Sequence, residues 1–323
     1  MPAPRKAALV LALLLALTAL ALALRLLIEP GGQLAWPASR HTLGIRLDRA
    51  LAGIIVGTAL GAAGVALQAM LRNPLASPDL LGMSAGAVLA VTLARATGLT
   101  RSVGLPDELA ALLGAMAALG LVMLLGRRRG QMEPVTLVLV GVALAIGMGS
   151  LASAVRAIMP PSARPEGVWF YGTLVDGTPH ARLALAGVLA LAGVAWVARR
   201  GRALDAAAMG EDEARSAGVP LGRLRLEMVL VAGVLTAVAV VLAGPIAFLG
   251  LVCPHLVRML MGPRHGPLVV GAALAGAALM LTSDSLARAL PLETGRLPTG
   301  VVVALLAAPA LILVLRSQAS RPG

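Results

Sequence analysis

The sequence predicts an all-α polytopic membrane protein of about ten transmembrane helices, and three observations carry that reading. Of its 323 residues, 59% are hydrophobic and 13% charged, with a mean hydropathy of +0.90, whereas a water-soluble domain carries roughly 25% charged residues. Its polar punctuation separates about ten apolar stretches, each near the ~20 residues that cross a hydrocarbon core. No remaining segment is long enough to fold alone in water, so residues 1–323 read as a single transmembrane domain.

The formal charge of +12 and pI near 11.7 do not point to nucleic acid. The arginines are scattered at helix ends and loops, without basic stripes or interleaved aromatics. With 2% aromatic residues the usual Trp and Tyr belts are nearly absent, and arginines near helix ends take over the anchoring. The single cysteine, Cys253, rules out an intramolecular disulfide framework and offers no metal cluster. It reads as a helix-packing residue, and no metal or cofactor is expected.

The first span, 7–24, follows Arg5 and Lys6. It exceeds the ~7–15 apolar residues of a signal peptide and reads as a retained helix. Further spans are expected at 51–71, 80–99, 109–125, 135–158, 183–197, 226–242, 246–260, 268–286 and 298–315. An even number puts both termini on one side. With the N-terminus inside, 16 of the 27 lysines and arginines fall on the inner side, led by the RRR run at 127–129 and the RRGR run at 199–202. The positive-inside rule then favours cytoplasmic termini and a multi-pass protein of the inner (cytoplasmic) membrane.

Between two apolar stretches lies one long charged island, GRALDAAAMGEDEARSAGVPLGRL at 201–224. It is where a membrane protein can be gripped from outside, although a solvated charged loop is the plain alternative. Immediately after the second span, RNPLASP at 72–78 breaks the helical pattern twice with proline, so the chain must turn. LLGMSAGA at 80–87 then opens the next span with small residues that allow close helix approach.

The stretch GPIAFLGLVCPHLVR at 244–258 places two prolines and two glycines in one span. That demands a kink or a broken helix, whose freed carbonyls must be covered by protein or line a cavity. His255 and Arg258 share a helix face there, and a lone histidine is better read as structural than as a metal ligand. Asp284 is the conspicuous acid of an apolar span. Arg288, four residues on, offers it a local partner in the favourable order.

Taken together, RLDRALAGIIVGTALGAAGVALQAMLRNPLASPDLLGMSAGA, LVLVGVAL at 137–144, LDAAAMGEDEARSAGV at 204–219, GPIAFLGLVCPHLVR and LPTGVVVALLAAPALILVL at 297–315 resemble the permease family of metal-chelate ABC importers. These carry iron-siderophores, haem or cobalamin, and the resemblance spans about 46–315. It implies the type II ABC importer permease fold, with a second permease copy (identical or closely homologous) across the translocation pathway. It also implies two ATP-binding subunits on the cytoplasmic face and a solute-binding protein outside. No GxxxxGK[ST] loop occurs in the sequence, so a partner must hydrolyse ATP, and the chain is not itself an enzyme.

The resemblance makes the charged island, about 199–224, the coupling loop held by the ATPase, with Gly210, Glu211, Ala214 and Gly218 in the family's pattern. It makes Arg46 and Arg288 docking residues for the binding protein, although Asp48 stands where the family commonly has proline and Arg296 where it has glutamate. The cytoplasmic gate maps onto Asn73, Leu75 and the 133–135 stretch, with Glu133 and Pro134 in place of small hydroxyl residues and Val135 opening the fifth span. The implied mechanism is alternating access, with a ferric siderophore as the foremost cargo. The competing classes are an intramembrane enzyme using Asp284 and His255 and an ion-coupled secondary transporter, the latter working without ATPase.

Overall fold

The computed structural model describes residues 3–128, 131–132, 134–161, 167–290 and 297–319. In chain order its helices are α1 (Ala3–Leu27), α2 (Arg40–Leu71), α3 (Met83–Ala96), α4 (Leu99–Ser102), α5 (Asp107–Leu125) and α6 (Pro134–Ile158). There follow α7 (His180–Arg199), α8 (Gly201–Met209), α9 (Glu211–Ser216), α10 (Leu221–Ala243), α11 (Leu249–Met261), α12 (His265–Ala289) and α13 (Thr299–Ala319). A two-residue antiparallel pair joins α5 to α6, and a 3-10 turn at Gly167–Tyr171 precedes α7. Among the described residues, α1, α2, α5, α6, α7, α10 and α12 are long and apolar enough to cross a membrane, while α3, α11 and the apolar part of α13 are shorter. Together they account for the ten expected spans.

Two boundaries differ from the sequence expectation for a physical reason. α2 begins at Arg40 rather than at 51, after an N-cap in which the Ser39 hydroxyl accepts from the Thr42 amide at 3.1 Å. The polar stretch RLDR therefore lies inside the helix, and Arg46 and Arg49 are buried against acids of other elements. At the other end, α2 stops at Arg72, which takes a left-handed φ of 49° as the C-cap. The proline-broken segment then folds back, and α3 starts only at Met83, entered through Gly82 at φ 71°. Asn73 holds this turn: its side-chain oxygen accepts from the Leu75 amide at 3.0 Å.

The expected break at 244–258 is present. α10 ends at Gly244 and α11 opens after Phe248, a non-glycine residue at φ 65°. Pro78 of the first broken segment packs toward Gly250 at the start of α11, so the two interruptions meet.

α2 is the central post, packed by α12, α10, α7 and α11. Lipid is as apolar as leucine, so association here depends on how closely backbones can approach. A side-chain carbon on Gly57 would sit 2.3 Å from the Gly276 carbonyl oxygen, one on Gly61 2.2 Å from that of Ala272, and one on Gly64 1.8 Å from that of Gly250. No larger residue fits at these three crossings. α6 is the opposite case: 11% of its apolar window is buried, and Leu139, Ile146, Leu151 and Ile158 are exposed. Its outer face is open among the described residues.

Candidate functional site

The charged island folds into the two short helices α8 and α9, joined at Gly210. α8 is pinned to the first turn of α12, where Asp205 accepts from the His265 amide at 2.9 Å and contacts its Nδ1 at 2.7 Å. A side-chain carbon on Gly201 would meet the Gly266 backbone at 2.7 Å, so α8 leaves α7 in close contact with α12. α9 is held to α10 by an ion pair in which Arg225 donates to Glu211 at 2.5 Å.

Ala214 is fully buried beneath α9, and its carbonyl accepts from the Val219 amide. Gly218 closes the element at φ 72°, in the left-handed region that strains any side chain. The hydrogen bond from Arg225, followed by its charge, holds the Glu211 carboxyl below the usual carboxylate range. What faces outward is mixed charge and one large apolar side chain, Met209, 76% exposed. The four residues Gly210, Glu211, Ala214 and Gly218 thus belong to one rigid element joined to two long helices.

Beside α8 opens a cavity of about 530 Å³ whose lining includes Gln68, Arg72, Asn73, Met209, Arg258 and His265. Asn73 is therefore a neighbour of α8 across this space, and Leu75 beside it is exposed. Arg258 donates to the Gln68 side chain at 2.9 Å, tying α11 to α2. Val135 stands in the first turn of α6; its side chain, Glu133 and Arg296 lie outside the described residues.

At the far end of α12 the local Asp284–Arg288 pair is corrected. Asp284, 1% exposed, is bonded by Arg25 of α1, by Arg49 of α2 at 2.9 to 3.2 Å and by the Thr299 hydroxyl at 2.9 Å. Arg49 also donates to Asp176 at 2.7 Å and to the Leu174 carbonyl at 2.9 Å. Two buried arginines offer more charge than one residue four places on, and the bundle turns that face of α12 toward α1 and α2. Arg25 is fully buried, and both its terminal nitrogens lack a hydrogen-bond partner among the described residues.

Arg46 is likewise engaged within the chain. It donates to Glu29 at 2.9 Å and to the Leu26 and Ala35 carbonyls, tying down the loop between α1 and α2. Arg288 is half-buried.

Sequence reasoning missed Arg25, Arg49, Asp176 and the Asp205–His265 pin, because each pairs across more than fifty residues. It also passed over Asp79, which lines a cavity of about 520 Å³ with Ser153, Arg156, Phe170 and Tyr171 among others. Among the described residues no group of three or more His, Cys, Asp and Glu is placed to hold a metal ion.

The model of the FecCD transport family matches residues 7–317. The cobalamin import system permease protein BtuC of Halobacterium salinarum is 35% identical over 86% of this chain and 73% of its own length. The hemin transport system permease protein HmuU of Yersinia pestis is 35% identical over 87% and 85%. The ferric enterobactin transport system permease protein FepD of Escherichia coli is 37% identical over 85% and 82%. A solved inward-facing metal-chelate type ABC transporter superposes with a TM-score of 0.78 at 27% identity, covering 96% of this chain and 99% of that one.

Proposed function

This chain belongs to the FecCD transport family and is the permease of a metal-chelate type ABC importer, and from that premise we propose that it carries a ferric siderophore inward by alternating access. In this reading the α8–α9 end is cytoplasmic, as are both termini, and two ATP-binding subunits grip α8 and α9 there. A second permease copy stands across the pathway, and a solute-binding protein docks on the Asp284 end. The chain's only lysine is Lys6, so it has none with which to build a phosphate-binding GxxxxGK[ST] loop, and the partner supplies ATP hydrolysis.

The observation that carries this reading is the α8–α9 pair: short, exposed, and pinned separately to α12 and α10. A rigid-body push on it reaches both helices without first bending a loop. Asn73, Leu75 and Val135 form the inner gate in this proposal, with Asn73 positioned to sense α8 across the shared cavity. Arg46 braces the docking face from beneath by fixing the loop between α1 and α2, and Arg288 contributes near the end of α12.

The test is uptake by proteoliposomes containing the chain, its ATPase and its binding protein loaded with ferric siderophore. ATP-dependent accumulation is expected, with a Met209→Cys variant cross-linking to the ATPase. Accumulation that persists without the ATPase would overturn the reading in favour of an ion-coupled carrier.

A further inference from the structure

Asp79 follows Pro78 in the segment that folds back between α2 and α3. The residues after it lie against the middle of α6: a side-chain carbon on Gly82 would meet Met148 at 3.2 Å and the Gly141 carbonyl oxygen at 3.3 Å, and one on Gly141 would meet the Leu80 carbonyl oxygen at 2.1 Å. Asp79 is therefore level with the central turns of a helix long and apolar enough to cross a membrane. No ion pair or hydrogen bond joins its carboxylate to another described residue.

The surroundings restrict what such a group can face. An ionisable side chain at this depth is costly against lipid and is found facing the bundle interior or a water-filled cavity. The non-helical backbone that carries it obeys the same rule. The cavity beside it, about 520 Å³, falls within the range of small-molecule sites, which are mostly apolar with a few placed polar groups. Its walls fit that description. Ile146, Phe170 and Tyr171 supply apolar surface, the Arg156 guanidinium lies over the Phe170 ring at 5.2 Å, and Asp79 and Ser153 supply oxygens.

We propose that this cavity is a cargo-binding station of the permease itself, in which Asp79 takes an ammonium or other cationic group of the passing chelate while the apolar body of the chelate rests on Ile146, Phe170 and Tyr171. The inference rests on the import function proposed above. It assigns the permease a share in cargo selection through charge, separate from the selection made by a binding protein.

The test compares uptake of two ferric trihydroxamates, one with a free ammonium group and the same chelate N-acetylated, in proteoliposomes holding the full importer. The ratio of the two initial rates cancels differences in protein amount and ATPase activity. Asp79→Asn is expected to lower the cationic-to-neutral ratio about tenfold, the scale of one lost charge-assisted contact, and Asp79→Glu to restore most of it. An unchanged ratio in vesicles that import both chelates overturns the station alone. A wild-type complex that hydrolyses ATP yet imports neither overturns the chelate reading and the station with it.

Should Asp79→Asn fail to assemble, Asp79→Cys treated with a water-soluble, membrane-impermeant thiol reagent decides the matter. Labelling at 79 that the cationic chelate slows supports the station. Absence of labelling, or labelling the chelate does not slow, overturns it.

Discussion

The two ends of α12 are held by opposite kinds of electrostatics. At its start, His265 meets an Asp205 whose side chain is 38% exposed, and the neighbouring Glu211–Arg225 pair is also open to solvent. At its far end, Asp284 and Arg25 are sealed from solvent, with Arg49 nearly so. Exposed ion pairs contribute little to stability because water screens them and long side chains lose freedom in forming them. Buried ones are costly to break, since removing one partner strands a charge in a poor solvent. The α8–α9 end is thus fastened by contacts that can yield, and the end far from it by contacts that cannot.

The sharpest way to break this contrast is Asp284→Ala, which leaves Arg25 and Arg49 facing each other without their shared acid. A loss of about 3–5 kcal/mol is expected, read as a large fall in melting temperature in detergent; a change below about 1 kcal/mol would mean that water reaches the hub. Next is Gly218→Val, which forces a β-branched residue into left-handed backbone at a cost of about 1–2 kcal/mol. Melting should fall moderately, and ATP-driven uptake should fall further than melting does.

Asp205→Ala removes both contacts to His265 and, being partly exposed, should cost about 1 kcal/mol, with hydrogen exchange rising in the first turn of α12 and not in its last. Smallest is Glu211→Gln, which at pH 7 should melt only slightly below the wild type, because the pair is open to solvent. Its carboxyl is held below the unfolded value of about 4.3 by Arg225, so the pair's contribution is present above that value and is lost as pH falls from it through the lower folded value. The difference between the two melting temperatures should therefore vanish on acidification below about pH 4; a difference that grows instead would reverse the assigned sign.

Much of the architecture was legible because lipid demands long apolar runs, and the ten expected spans are all found as helices. The charged island at 201–224 was legible for the same reason, as an interruption too polar to be buried in lipid. What escaped was the direction in which charges point. The local rule that pairs residues four apart selects Arg288 for Asp284, yet the partners lie 259 and 235 residues away in the chain. The start of α2 was placed late because Arg46 and Arg49 look like boundary residues until their acids are seen. Asp79 was passed over because a single acid after a proline gives no periodic signal; only its place beside the middle of α6 distinguishes it.

α12 contains 25 residues, which as a straight helix makes a strut about 37 Å long. Along it, Gly276 touches the α2 backbone with no side chain between them, a natural fulcrum roughly midway. A strut of that length swung by about 5° moves each tip by less than 2 Å in opposite senses. A small sideways displacement at His265 would therefore emerge at Asp284 reversed in direction and about three-quarters as large, by leverage alone.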